Sequence, residues 1–313
     1  MKYIQKKYNL LIASSLIFFA NSCSLDSYDV SDDDRKNLTL FAFLTTDSVF
    51  SVHLSKSVDY YSVDDFERIY DGTIVIEKND EKIDSFAFPF RYLWAERKDI
   101  SIKQNDNFKI TASDTKGRAV WGTTIIPQKV PIENIDTSRV TVYSGGKQRK
   151  YLECLINFQE PPDENNYYQL IVTMEEWTKT NESQIYLSQQ LDFHKTDSVF
   201  FIDDQSGSLL SGIDFRGTFS DYKINGQNYE LKIRIPLYYI ENISVNQKKR
   251  INFFLLSLTE DYFNYFRCRV IADYHYNLPI IEPIKIYGNI SGGLGLVGGI
   301  ALTKSFLDFA SEE

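Results

Sequence analysis

From Leu38 onward the chain repeats one pattern, a short run rich in β-branched and aromatic side chains followed by a turn signal, and no other feature constrains its fold as much. Leu38 to Leu44 and Val49 to Leu54 flank Thr45-Thr46-Asp47-Ser48, whose short polar side chains can bond nearby backbone, so this pair reads as a hairpin. Thr73 to Ile76, Ile83 to Phe90, Phe108 to Ala112 and Ala119 to Ile125 continue the series. Pro127 and Pro131 then bracket a stretch that cannot donate fully to a sheet and reads as a link between domains. Longer runs follow: Gln148 to Phe158, Tyr167 to Trp177, Ile185 to Phe193, Val199 to Ile202, Tyr229 to Ile235 and Ile251 to Leu258. One helix interrupts them at about 259–275. Thr259 can cap it, Glu260 and Asp261 suit its positive end, and Phe263, Phe266, Val270 and Tyr274 recur at helical spacing. The expected class is mainly β with two sandwich-like domains: an Ig-like sandwich over 37–130, and a β-rich domain with one packed helix over 131–313.

The first 36 residues follow a different logic. Lys2, Lys6 and Lys7, the apolar run Leu10 to Ala20, and Ala20-Asn21-Ser22-Cys23 read as a lipoprotein export signal over 1–22. A bilayer span takes about 20 apolar residues, so this shorter run fits a cleaved signal better than a retained helix. Cys23 is then the lipidated, mature N-terminus, and the protein is expected at the outer membrane through that lipid anchor. Ser24 to Asp34 is polar, ends in Ser31-Asp32-Asp33-Asp34, and lacks the apolar surface to fold, so 23–36 reads as a flexible acidic tether.

Composition excludes more than it selects. The formal charge is −9, and loss of the three signal lysines would move it to −12. With no basic stripe to offset that balance, nucleic acid is a poor partner. Cys154 alternates with Leu152, Ile156 and Phe158 and reads as a buried small hydrophobe, while its pairing with Cys268 stays open. His53, His194 and His275 are scattered, so no metal set is assigned, and no cofactor is implied. No Gly-x-Ser-x-Gly elbow occurs, and no catalytic residue is assigned. The acid pairs Asp64-Asp65, Asp163-Glu164 and Asp203-Asp204 sit in turn-like segments, where a hydrolase would need two of them to meet across a cleft. Tyr60-Tyr61, Tyr167-Tyr168 and Tyr238-Tyr239 each offer one core ring and one free ring. The densest glycine cluster runs from Gly288 to Gly299, and Gly292, Gly293 and Gly295 read as structural glycines that permit close backbone approach. Thr46-Asp47-Ser48-Val49-Phe50 recurs as Thr196-Asp197-Ser198-Val199-Phe200, two turn-to-strand junctions that also fit an Asp-Ser acceptor pattern for O-glycosylation at Ser48 or Ser198.

Several segments together carry a family resemblance. Val52-His53-Leu54-Ser55-Lys56-Ser57, Ile125-Ile126-Pro127 with Val130-Pro131-Ile132, Ile156-Asn157-Phe158, Asn166-Tyr167-Tyr168 and Ile213-Asp214-Phe215-Arg216-Gly217 occur in the family's order. Leu256-Ser257-Leu258-Thr259-Glu260-Asp261-Tyr262-Phe263 and Ile286 to Gly295 complete it. The chain resembles the Bacteroidota outer-membrane lipoproteins catalogued as domain of unknown function 4249. The resemblance implies an accessory role beside a TonB-dependent receptor in nutrient uptake, with surface exposure tied to the acidic Ser31 to Asp34 run. That run lies further from Cys23 than such export signals sit. A carbohydrate-active hydrolase using loop carboxylates, or a purely structural or adhesive surface protein, are the alternatives.

Overall fold

A computed structural model describes residues 36–58, 62–64, 66–88, 93–179, 183–201, 213–275 and 285–310. The expected signal, Cys23, the tether up to Arg35, Tyr60-Tyr61, Asp65 and Asp203-Asp204 lie outside them. The first part of the chain gives β1 (Leu38–Thr45), β2 (Phe50–Lys56), β3 (Glu67–Arg68), β4 (Thr73–Lys78), β5 (Glu81–Ala87), β6 (Ala95–Arg97), β7 (Asn107–Ser113) and β8 (Ala119–Ile125). Then follow β9 (Asn134–Ser144), β10 (Lys147–Gln159), β11 (Tyr167–Lys179), β12 (Gln184–Gln190), β13 (His194–Lys195), β14 (Thr218–Ser220), β15 (Asn228–Pro236), β16 (Gln247–Leu258), helix α1 (Glu260–His275) and β17 (Leu294–Ala310). The protein is mainly β, with three sheets and this one α-helix among the described residues.

The long sheet runs β12-β11-β16-β17-β1-β2-β3, with β14 beside β11 and β6 beside β2, and the two smaller sheets run β5-β4-β7-β8 and β13-β15-β10-β9. Period-2 alternation decides which face each residue serves. Leu38, Leu40, Ala42 and Leu44 of β1 enter one core with Ile74 and Ile76 of β4 and Phe108 and Ile110 of β7. Tyr168, Leu170 and Val172 of β11, with Ile251, Phe253 and Leu255 of β16, enter a second core with Cys154 and Ile156 of β10 and Leu231 and Ile233 of β15. Each smaller sheet thus packs on the long one in a sandwich-like arrangement.

β17 links the two cores. Leu294 to Ile300 pair in parallel with β1, and Ile300 to Ala310 pair antiparallel with β16, so the strand changes partner at Ile300. Val297 enters the first core while Leu307 and Phe309 pack on the second. The long sheet therefore draws strands from both sides of the expected link at 127–131. Helix α1 covers its other face. Phe263 packs with Leu256, Leu258 and Ile300, while Tyr262 meets Phe43 edge-on at 5.5 Å and Tyr265 approaches Phe41 at 5.7 Å.

Two expectations need correction. The expected strand from Val199 is not formed over its described residues 199–201: Ser198–Phe200 forms a 3-10 turn because the Asp197 carboxylate accepts from Val199 N–H at 3.2 Å and also holds the Tyr229 hydroxyl at 2.6 Å. The two copies of Thr-Asp-Ser-Val-Phe thus part ways, since the first does lead into β2. Thr259 stands directly before α1 as expected, and its hydroxyl accepts from Gly299 N–H at 3.2 Å, tying the start of α1 to β17. Tyr274 leaves the expected apolar stripe and is exposed, its place near the sheet being taken by Tyr262 and Tyr265. No helix among the described residues is long and apolar enough to cross a membrane.

Candidate functional site

β8 ends at Ile125, and Pro127 prevents its continuation as a paired strand, so the chain turns away just where Pro161 and Pro162 do the same after β10. Between these segments and the start of α1 lies a cleft of about 760 Å³. Four of the segments that carry the family resemblance meet around it. Ile125-Ile126-Pro127, Asn166-Tyr167 and Leu258 to Asp261 line it, and the Tyr287 to Asn289 segment braces it from behind.

The bracing is specific. Asn289 donates from Nδ2 to Asp261 Oδ2 at 2.9 Å and to the Val297 carbonyl at 2.9 Å, and its Oδ1 accepts from Val297 N–H at 2.9 Å. The Tyr287 hydroxyl also donates to Asp261, which pushes that phenol up to about 12. Tyr167 stacks near Phe263 at 4.7 Å, and burial together with the Glu260 carboxylate raises its phenol above the ordinary value. Asn166 is locked from below by two buried carboxylates. Its Nδ2 donates to Glu160 Oε1 at 2.9 Å and its backbone N–H to Asp221 Oδ2 at 2.8 Å. Glu160 further accepts from Tyr168 Oη at 3.1 Å and Gly226 N–H at 2.6 Å. Burial raises both acids above their ordinary values, and the Asp221 charge adds to the effect on Glu160.

The cleft wall offers amides and carboxylates, among them Asn105, Gln128, Asn165, Glu164 and Glu260, and among the described residues no Lys, Arg or His lines it. Such a wall favours neutral or cationic hydrogen-bonding groups over anions. Its best-held carboxylates are engaged by protein donors, so the arrangement is one of positioning and hydrogen bonding.

The residues singled out in the sequence scatter around this frame. Gly292 and Gly295 take φ of +79° and +116°, a Cβ at Gly295 would strike the Leu40 carbonyl, and one at Gly293 would lie 2.6 Å from Val120 Cγ1. These glycines let the start of β17 lie against β1 and β8, near the cleft but outside its wall. His53 is buried, donates from Nδ1 to the Leu93 carbonyl at 2.6 Å and accepts at Nε2 from Ser55 Oγ at 3.0 Å, and its burial lowers its pKa. That geometry describes a neutral packing histidine. His194 stands edge-on to Tyr151 at 4.8 Å. Cys154 and Cys268 are both free, and core burial pushes the Cys154 thiol up to about 12. Ser48 and Ser198 are both exposed. Glu160, Asp221 and Asn289 went unrecognised as a group, because their partners are remote in sequence. Asn166 and Asn289 could have been flagged from the motifs that contain them.

A comparison with curated proteins finds no match. The family described as Domain of unknown function (DUF4249) matches residues 26–305, which include every element of the cleft and most of β17, and the chain belongs to it.

Proposed function

We propose that this protein is a lipid-anchored outer-membrane accessory protein that binds a TonB-dependent receptor or its cargo in nutrient uptake. The observation that carries the reading is the N-terminal sequence, in which a lysine-rich start and the run Leu10 to Ala20 lead directly to Ala20-Asn21-Ser22-Cys23. The cleft beside α1 supports a binding role, since it gathers amide, hydroxyl and carboxylate groups at a size suited to a small ligand or a side-chain cluster of a partner.

The anchor is tested by Cys23→Ala. Each buried methylene of an acyl chain adds about 0.8 kcal/mol of membrane affinity, so loss of the acylated residue should release the protein or stall its precursor in fractionation. A variant that stays as firmly bound and as normally processed as the native protein overturns the reading. The partner is tested by extraction of the tagged protein in mild detergent, where an outer-membrane receptor or a candidate nutrient should co-purify.

A further inference from the structure

We propose that a second cavity, of about 640 Å³ at the end of the β10–β15 sheet, binds an acidic oligosaccharide. The inference stands on this cavity alone, independent of the anchor and of the cleft beside α1. It is lined by Gln148, Arg149, Lys150 and Tyr151 of β10, by His194 of β13, and by the Pro236–Tyr238 corner with Glu241. A volume of this size falls within the range of roughly 300 to 1,000 Å³ typical of small-molecule sites.

On the same sheet Arg234 is held by Glu153 at 2.8 Å and Lys195 by Asp214 at 2.7 Å. Arg149 and Lys150 have no carboxylate within ion-pair distance among the described residues. Successive strand residues face opposite sides, so of the two Arg149 shares the face of Tyr151, and in a chain of formal charge −9 its guanidinium at the mouth of a cavity marks a place where an anionic group is favoured. The guanidinium of Arg149 can take a carboxylate through two parallel hydrogen bonds.

Two rings supply the apolar half of the site. Tyr238 is 65% exposed and lies against Tyr239 at 4.3 Å, and Tyr151 is held by the His194 edge at 4.8 Å. An aromatic ring presented to solvent but fixed from behind suits the C–H face of a sugar ring, and the Gln148 amide and Glu241 carboxylate suit its hydroxyls. A flat apolar platform, hydroxyl partners and a carboxylate fork together describe a uronic-acid saccharide. A polyphosphate would instead want the N-terminus of a full helix or a cluster of backbone N–H groups, and among the described residues the lining offers only the three-residue 3-10 turn Leu237–Tyr239.

The test is calorimetric titration of the full chain in mild detergent with trigalacturonate and a hyaluronan tetrasaccharide, against maltotriose as the neutral control. Saturable binding of at least one acidic saccharide is expected, with maltotriose about tenfold weaker or undetectable. Arg149→Gln should weaken the acidic saccharide by about tenfold and narrow its advantage over maltotriose, while Tyr238→Ala should weaken both, with circular-dichroism melting curves unchanged for these exposed positions. The proposal is overturned if neither acidic saccharide binds at millimolar concentration, if maltotriose binds equally well, if both variants bind like the native protein, or if inorganic phosphate competes as effectively as the saccharide.

Discussion

Glu160 is fully buried between Asn166, Tyr168 and Gly226, and its carboxyl is held above the ordinary value of 4.5 by that burial. The sign of the consequence is unusual for an acid. Because the folded-state pKa is the higher one, the folded protein holds the proton more tightly than the unfolded chain, and stability falls as pH rises from about the unfolded value through the raised folded value. Asp106 and Asp114 work the other way. Burial opposes their ionisation, but Lys78 and Arg118 outweigh it and hold them below 3.8, so their contribution is present above that value and lost as pH falls. Glu160→Gln keeps an acceptor for Gly226 N–H while removing the charge. In urea denaturation followed across pH 4 to 8, the variant should gain on the native protein as pH rises, and parallel pH profiles would show that Glu160 carries no such linkage. None of this was legible in the sequence, where Glu160 precedes two prolines like any loop acid and its partners stand 6, 8 and 66 residues away.

At the scale of elements, alternation was legible wherever one face is buried and the other is not. β1, β7 and β8 show strict alternation and fall within a residue of their expected bounds, as do the starts of β11 and α1. β9 escaped notice because it is an edge strand whose side chains are mostly polar and exposed, leaving Ile135, Val140 and Val142 as a thin signal. β17 was masked by its own glycines, which read as loop although Gly298 and Gly299 sit in the paired strand. Its start is held by a side chain. Asn289 meets both the N–H and the carbonyl of Val297, taking on that side the place of a neighbouring strand, and ties the same point to Asp261 of α1. Asn289→Ala should therefore cost roughly 2 to 3 kcal/mol in urea denaturation, since it leaves buried backbone groups unpaired. Asn289→Asp should not rescue it, because the new carboxylate loses the donor and faces Asp261. Gly295→Ala should cost at least as much, through its φ of +116° and the Leu40 carbonyl. An unchanged denaturation midpoint for Asn289→Ala would remove the clamp from the account.

At the scale of the whole molecule, the sequence spoke clearly about class and weakly about organisation. Two groups of strands on either side of Pro127 and Pro131 do correspond to two cores, but the parallel pairing of β1 with β17 joins residues about 255 apart, and no local pattern announces a contact of that range. The consequence is energetic. Unfolding of the first core strips β1 from Leu294 to Ile300, unfolding of the second strips β16 from Ile300 to Ala310, and α1 lies across the point where the partners change. Neither core can open without breaking one side of a strand that the other uses, so the two should melt together. Leu40→Ala in the first core and Phe253→Ala in the second each remove a buried side chain at a cost of about 2 to 5 kcal/mol. Both should lower a single calorimetric transition, with van't Hoff and calorimetric enthalpies agreeing for each variant. Two resolved transitions, one moved by Leu40→Ala and the other by Phe253→Ala, would instead mean that β17 yields at Ile300 and that the cores are independent domains divided near residue 130.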